Sequence, residues 1–136
     1  MTSSKVHAFV EGTHGAAVID ELAPHAEDFQ VTHPRISGFF GTNLDPVLRA
    51  RGIHTVVVTG CATNVAVDST VRDALQLGYE PILLENCCCS SAPEFHEAAL
   101  KTGELCAQRR RFSCALSDSL DSNIIIKTPR PLPVAA

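Results

Sequence analysis

Six consecutive residues, Thr55-Val56-Val57-Val58-Thr59-Gly60, set the tightest limit on what this chain can fold into. The run is β-branched or apolar at nearly every position, so both faces of a strand made from it want burial. A parallel sheet covered by helices provides that environment. The run ends at a glycine and gives way to a helical pattern over 64–77. Val67, Val71, Ala74 and Leu75 form its apolar stripe, and Gly78 is its stop.

The flanks repeat this alternation. Thr42 with Asp45 resembles a capping box, opening a helix with Leu44, Val47 and Leu48 on one face. Pro46 lies near its first turn, where a missing N–H is tolerated, and Gly52 ends it. Downstream, Pro81-Ile82-Leu83-Leu84 reads as a second buried strand, and Ser91 with Glu94 as the capping box of a helix over 92–105. Further short strands are expected at 29–32, 7–10 and 112–116. Strands alternating with helices of this length predict βαβ units, hence an α/β, Rossmann-like parallel sheet flanked by helices. Ligands of such sheets bind beyond the carboxyl ends of the strands, which points to 32–41, 60–66 and 85–91.

Composition narrows the function classes. The chain has 136 residues, 45% of them hydrophobic, which suits one globular domain and excludes a disordered chain. No apolar run approaches the roughly 20 residues that span a bilayer, and the N-terminus is not patterned as a secretion signal. A cytoplasmic protein without membrane contact is therefore expected. The net charge of −4 argues against a general nucleic-acid binder. Six cysteines without a secretion signal suggest reduced thiols. Cys87, Cys88 and Cys89 are consecutive, and neighbours on an extended chain point to opposite faces, so they do not converge easily on one ion. No metal or cofactor is expected. The charge is unevenly placed: to residue 105 there are 6 Lys/Arg against 13 Asp/Glu, and beyond it 5 against 2.

The stretch Gly60-Cys61-Ala62-Thr63-Asn64-Val65-Ala66-Val67-Asp68-Ser69-Thr70-Val71-Arg72-Asp73-Ala74 carries the chemistry. A buried strand ends, the chain turns sharply, and a helix begins. Unpaired N–H groups and the helix dipole there favour negative charge, lower the pKa of a thiol and can hold an oxyanion. The stretch resembles the G-V-A-T-N-V-C-V-x-S-T-x-R-D-A segment of the isochorismatase-like, or cysteine, hydrolases. His33-Pro34-Arg35-Ile36-Ser37-Gly38-Phe39-Phe40-Gly41-Thr42-Asn43-Leu44 is similar to that family's K-P-R-Y-S-A-F-x-G-T-x-L stretch. Glu85-Asn86-Cys87-Cys88-Cys89-Ser90-Ser91 matches its E-D-A-C-A-S-S. Glu11 to Ala16 and Asp20 to Pro24 look like its pre-strand region. The resemblance covers about 9–105 and lies nearer the amidase members than isochorismatase itself. It implies a partial hydrolase domain over 1–105, followed over 106–136 by a divergent, basic, Pro-containing and poorly ordered tail.

The resemblance also implies roles. Family amidases use an Asp as general base, a Lys that holds the thiolate, and a Cys that attacks an amide carbonyl. Here the Cys position is Ala66 and the Lys position is His33. The Asp belongs to a first strand expected to precede this chain, as do the Asp-x-His metal ligands of nicotinamidases. Isochorismatase itself carries Gly at the nucleophile position and cleaves a vinyl ether without a covalent intermediate, so Ala66 is compatible with that chemistry as well. Cys61 is either a replacement thiol or a small buried residue. A non-proline cis peptide is expected at Cys61-Ala62, with Ala62, Thr63 and Asn64 forming the oxyanion turn. Arg35 is a substrate-carboxylate clamp or a solvated cation, and Phe39 walls a pocket or packs in the core. Three readings stay open: an amide or ureido hydrolase with impaired activity, a non-catalytic binder of a small ligand or partner of an intact paralogue, and a vinyl-ether hydrolase. A sheet lacking its first strand has an exposed edge, so self-association is expected.

Overall fold

The structure, a computed structural model, describes residues 17, 18, 20, 23–103, 106–110 and 124–127. The elements run α1 (Leu44–Ala50), β1 (Thr55–Cys61), a π-helical turn (Thr63–Val67), α2 (Asp68–Gln76), β2 (Glu80–Cys89), α3 (Pro93–Gly103), β3 (Gln108–Arg110) and β4 (Ile124–Lys127). The four strands make one sheet in the order β3-β2-β1-β4, every neighbouring pair parallel. The fold is the α/β parallel sheet flanked by helices that the alternating pattern predicts.

The β-branched run is the centre of this sheet. Val56, Val57 and Val58 are wholly buried in β1. Val56 and Val58 face a core completed by Leu44 and Leu48 of α1, Val67, Val71 and Ala74 of the α2 region, Leu83 of β2 and Leu100 of α3. Each such side chain contributes roughly 1.5–3 kcal/mol by leaving water. Both early helices end alike. Gly52 (φ 66°) and Gly78 (φ 87°) take the left-handed conformation. The next amide then reaches back, Ile53 N to Leu48 O at 3.0 Å and Tyr79 N to Ala74 O at 2.9 Å.

Three expectations need correction. Residues 29–32 form no strand: Phe29 and Thr32 are exposed, and nothing pairs with this segment among the described residues. The Thr42–Asp45 capping box does not close. Asp45 is taken instead by Arg49 Nε and the Tyr79 hydroxyl, each at 2.8 Å, while Thr42 Oγ1 donates to Gly38 O at 2.7 Å. β2 does not stop at Leu84 but runs to Cys89, because its pairing with β1 resumes after an irregularity. Between the pairs Val58↔Leu83 and Gly60↔Cys88, β2 advances five residues while β1 advances two, and residues 85–87 bulge.

Two short strands follow α3. Arg109 and Arg110 lie in β3, in register with Leu83 and Leu84 of β2. On its other side β1 is paired along Val56–Thr59 with Ile124–Lys127 of β4. These strands are only 3 and 4 residues long, which leaves too little periodicity to find them by pattern. The strands expected at 7–10 and 112–116 lie outside the described residues. Among the described residues no helix is long and apolar enough to cross a membrane.

Candidate functional site

The site is built where β1 meets the turn before α2. The Cys61–Ala62 peptide is cis, as the resemblance implies. Ala62 closes the turn by accepting from Val65 N at 3.1 Å and Val67 N at 3.2 Å through its carbonyl. The next five residues form a π-helical turn, which passes into α2 at Asp68. Such single turns commonly occur at functional positions inside longer helices.

The predicted site residues fall into two groups. Cys61, Ala62, Thr63, Asn64 and Ala66 lie together on this turn. Cys61 and Thr63 are buried, Ala62 and Ala66 half-buried, and Asn64 exposed. Asn64 Oδ1 accepts from the Ser90 hydroxyl at 2.9 Å, linking the turn to the segment after β2. His33, Arg35 and Phe39 lie on the loop before α1. His33 is half-buried, and its Nδ1 is hydrogen-bonded to Arg35 O. Arg35 is exposed and donates to Pro34 O at 3.1 Å. Phe39 is buried in the core with its ring stacked on Tyr79, centroids 5.7 Å apart. Among the described residues it lines neither the cleft beside Phe40 nor that beside His96. The neighbouring Phe40 points outward and lines a cleft of about 310 Å³ with Arg35, Ile36, Ser37, Ser69, Arg72, Asp73 and Gln76.

Thr70 connects the two groups. Its hydroxyl accepts from Gly38 N at 3.0 Å and donates to Ala66 O at 2.7 Å. One side chain thus holds the loop bearing His33 against the turn bearing Ala66.

His96, to which sequence reasoning gave no role, belongs to the site. Its Nδ1 lies 2.8 Å from Thr63 Oγ1, and its ring lines a second cleft of about 200 Å³ with Cys88, Cys89, Ser90, Ala92 and Pro93. Its distance from Thr63 in sequence, 33 residues, hides the pairing from any local pattern. Burial pushes the Cys88 thiol up to about 12, so it is not a nucleophile near neutral pH. Among the described residues, no three His, Cys, Asp or Glu side chains gather to hold a metal ion.

The chain is similar to known proteins over most of its length. The isochorismatase domain profile matches residues 2–113. The ureidoacrylate amidohydrolase RutB of Yersinia enterocolitica is 45% identical over 89 residues, which cover 65% of this chain and 39% of that protein. An isochorismatase-like hydrolase from Alkaliphilus metalliredigens superposes with a TM-score of 0.78 at 37% identity, covering 82% of this chain and 62% of its own. The nicotinamidase of Bacillus subtilis superposes at 0.68 with 31% identity, covering 74% and 60%. The chain therefore spans about two fifths of that amidohydrolase, at 39%.

Proposed function

Because the chain belongs to the isochorismatase-like hydrolase family, we propose that it keeps the family's site for a small amide or ureido ligand but does not hydrolyse it through a thiol at the family position. The observation that carries this reading is Ala66. It stands on the turn directly after the cis peptide, where the resemblance puts the nucleophilic Cys. A methyl group neither attacks a carbonyl nor ionises. His33 at the Lys position adds to this, since imidazole is shorter than the Lys side chain. The ureido class is suggested by the similarity to ureidoacrylate amidohydrolases.

The test pairs binding with turnover. The wild-type chain is expected to melt at higher temperature with ureidoacrylate or a simple aryl amide present, and to release no ammonia from either. Ala66→Cys is expected to gain a thiol that iodoacetamide labels faster than an ordinary exposed cysteine. Amide turnover by the wild-type chain, with an acyl adduct on Cys61, overturns the reading.

A second reading has its own observation. Ile36 and Phe40 are 56% and 64% exposed side by side on the larger cleft. Apolar side chains placed so favour assembly with another chain of this family. Sedimentation of the wild-type chain beside Phe40→Ser distinguishes it, since loss of association in the variant supports the partner role.

A further inference from the structure

We propose that Cys61 and Cys89 form a dithiol site that reacts with a low-molecular-weight disulfide and closes into a Cys61–Cys89 bond between β1 and β2. The two residues are register partners on neighbouring parallel strands, directly after the pair Gly60↔Cys88. Neighbouring strands lie about 4.8 Å apart, inside the roughly 4.4–6.8 Å Cα separation that a disulfide bridges. Register partners in a parallel pair project to the same side of the sheet. Cys88 packs against the core cluster, on the face of Val56 and Val58. Cys89, its neighbour along the strand, therefore projects to the other face, and so does Cys61, one residue after Gly60. The pairing thus selects Cys89 out of three consecutive thiols.

The two thiols also differ in access. Cys89 is half-buried and lines the 200 Å³ cleft with Cys88, Ser90 and His96, so a small disulfide reaches it, while burial holds the Cys88 thiol protonated. Cys61 is buried. An accessible thiol beside a second, resolving thiol is the usual layout of a reversible redox site. The chemistry is two exchanges. The Cys89 thiolate attacks one sulfur of glutathione disulfide, forming a mixed disulfide and releasing one glutathione thiolate. The Cys61 thiolate then attacks the Cys89 sulfur and releases the second. The two protein protons end on the two glutathiones, so the protein loses two electrons and the reagent gains them. The new bond joins the strand ends next to the Cys61–Ala62 peptide and Thr63.

The test uses the whole chain, oxidised with glutathione disulfide, alkylated with iodoacetamide and mapped by tandem mass spectrometry. A Cys61–Cys89 link is expected, with Cys87 outside it, either alkylated or carrying glutathione, and dithiothreitol reverses the link. Cys61→Ser is expected to stop at a glutathione adduct on Cys89, and Cys89→Ser to leave Cys61 unmodified. A variant with Cys87, Cys88, Cys106 and Cys114 all changed to Ser should lose both remaining free thiols as a monomer on a non-reducing gel. A link from Cys61 to Cys87 or Cys88, or a Cys61 that stays alkylatable after oxidation of the wild-type chain, overturns the proposal.

Discussion

Gly38 N donates to the Thr70 hydroxyl at 3.0 Å, joining residues 32 positions apart in sequence. The same hydroxyl donates to Ala66 O at 2.7 Å, and Thr70 is fully buried. A threonine inside a helix commonly returns its hydroxyl to the carbonyl four residues back. Here that habit leaves a lone pair for a loop amide, and the His33 loop is fixed to the candidate site by one atom.

Removing that atom has a measurable cost. Thr70→Val keeps the shape and leaves the buried Gly38 N–H without its partner. A loss of about 1–3 kcal/mol in denaturant unfolding is expected. Thr70→Ser retains the hydroxyl and should recover most of it. A loss in Thr70→Ser with none in Thr70→Val, which keeps the methyl, would mean that methyl packing, rather than the hydrogen bonds, fixes the loop.

The sheet was legible in the sequence because its centre is repetitive. Val56, Val57 and Val58 admit few alternatives to a buried strand, and Gly52 and Gly78 mark helix ends that the backbone realises with positive φ. The turn at 61–66 was legible through its resemblance to a known segment. Two things escaped. Asp45 was assigned to a helix cap because sequence shows Thr42 three residues before it, but not Tyr79, whose hydroxyl arrives from 34 residues away. His96 escaped for the same reason, since its partner Thr63 is on another element. His96 pairs with a long-range partner, and Asp45 is shared between Arg49 four residues on and the distant Tyr79, so local spacing alone does not assign either side chain.

Tyr79 offers a clean titration, being the chain's only Tyr in a sequence without Trp. Burial, followed by its hydrogen bond to the Asp45 carboxylate, pushes the phenol up to about 12. A raised pKa in an acidic group means that folding favours the protonated form. The associated stability is present below the unfolded value, near 10, and is lost as pH rises from there towards about 12. Ultraviolet titration should therefore show phenolate appearing near 12, or cooperatively with unfolding. In Asp45→Asn the midpoint should fall, without reaching the free value, because burial remains. A wild-type midpoint near 10 in the folded chain would remove the Asp45–Tyr79 contact from the account.

Asp45 gives the acid counterpart. Its hydrogen bonds from Arg49 and then Tyr79 hold the carboxyl below the usual carboxylate value. Its contribution is thus present above the unfolded pKa of 3.8 and fades as pH falls through the lower folded value. Wild type should lose stability relative to Asp45→Asn on acidification below about pH 4. The difference should be small, since the Arg49 side chain is 56% exposed and surface pairs contribute little. A wild-type curve parallel to that of Asp45→Asn throughout this range would count against it.

The three consecutive thiols should separate by reactivity. Burial, ahead of any charge effect, raises Cys88 to about 12, while Cys87 is exposed. Alkylation rates follow the thiolate fraction and access. At pH 8, iodoacetamide should label Cys87 first and Cys88 slowest of the three, with Cys88 becoming fast on unfolding in urea. Equal labelling of Cys87 and Cys88 in the folded chain would contradict the burial of Cys88 against the core.

The bond between Thr63 and His96 ties the turn after the cis peptide to α3, and a double-mutant cycle isolates it. Thr63 is 1% exposed, so a hydroxyl left alone there goes without water. His96→Ala should cost about 1–3 kcal/mol by leaving that hydroxyl unpaired, and Thr63→Val should cost a comparable amount by removing it. If the 2.8 Å contact is the cause, the double variant loses less than the sum of the two, with a coupling on the order of 1 kcal/mol. The ring's contact with the Cys89 cleft is kept in Thr63→Val and lost in His96→Ala, so only the coupling reports the hydrogen bond itself. Additive losses would assign the His96 effect to packing on Ala92 and Pro93 and release Thr63 from any part in joining α3 to the site.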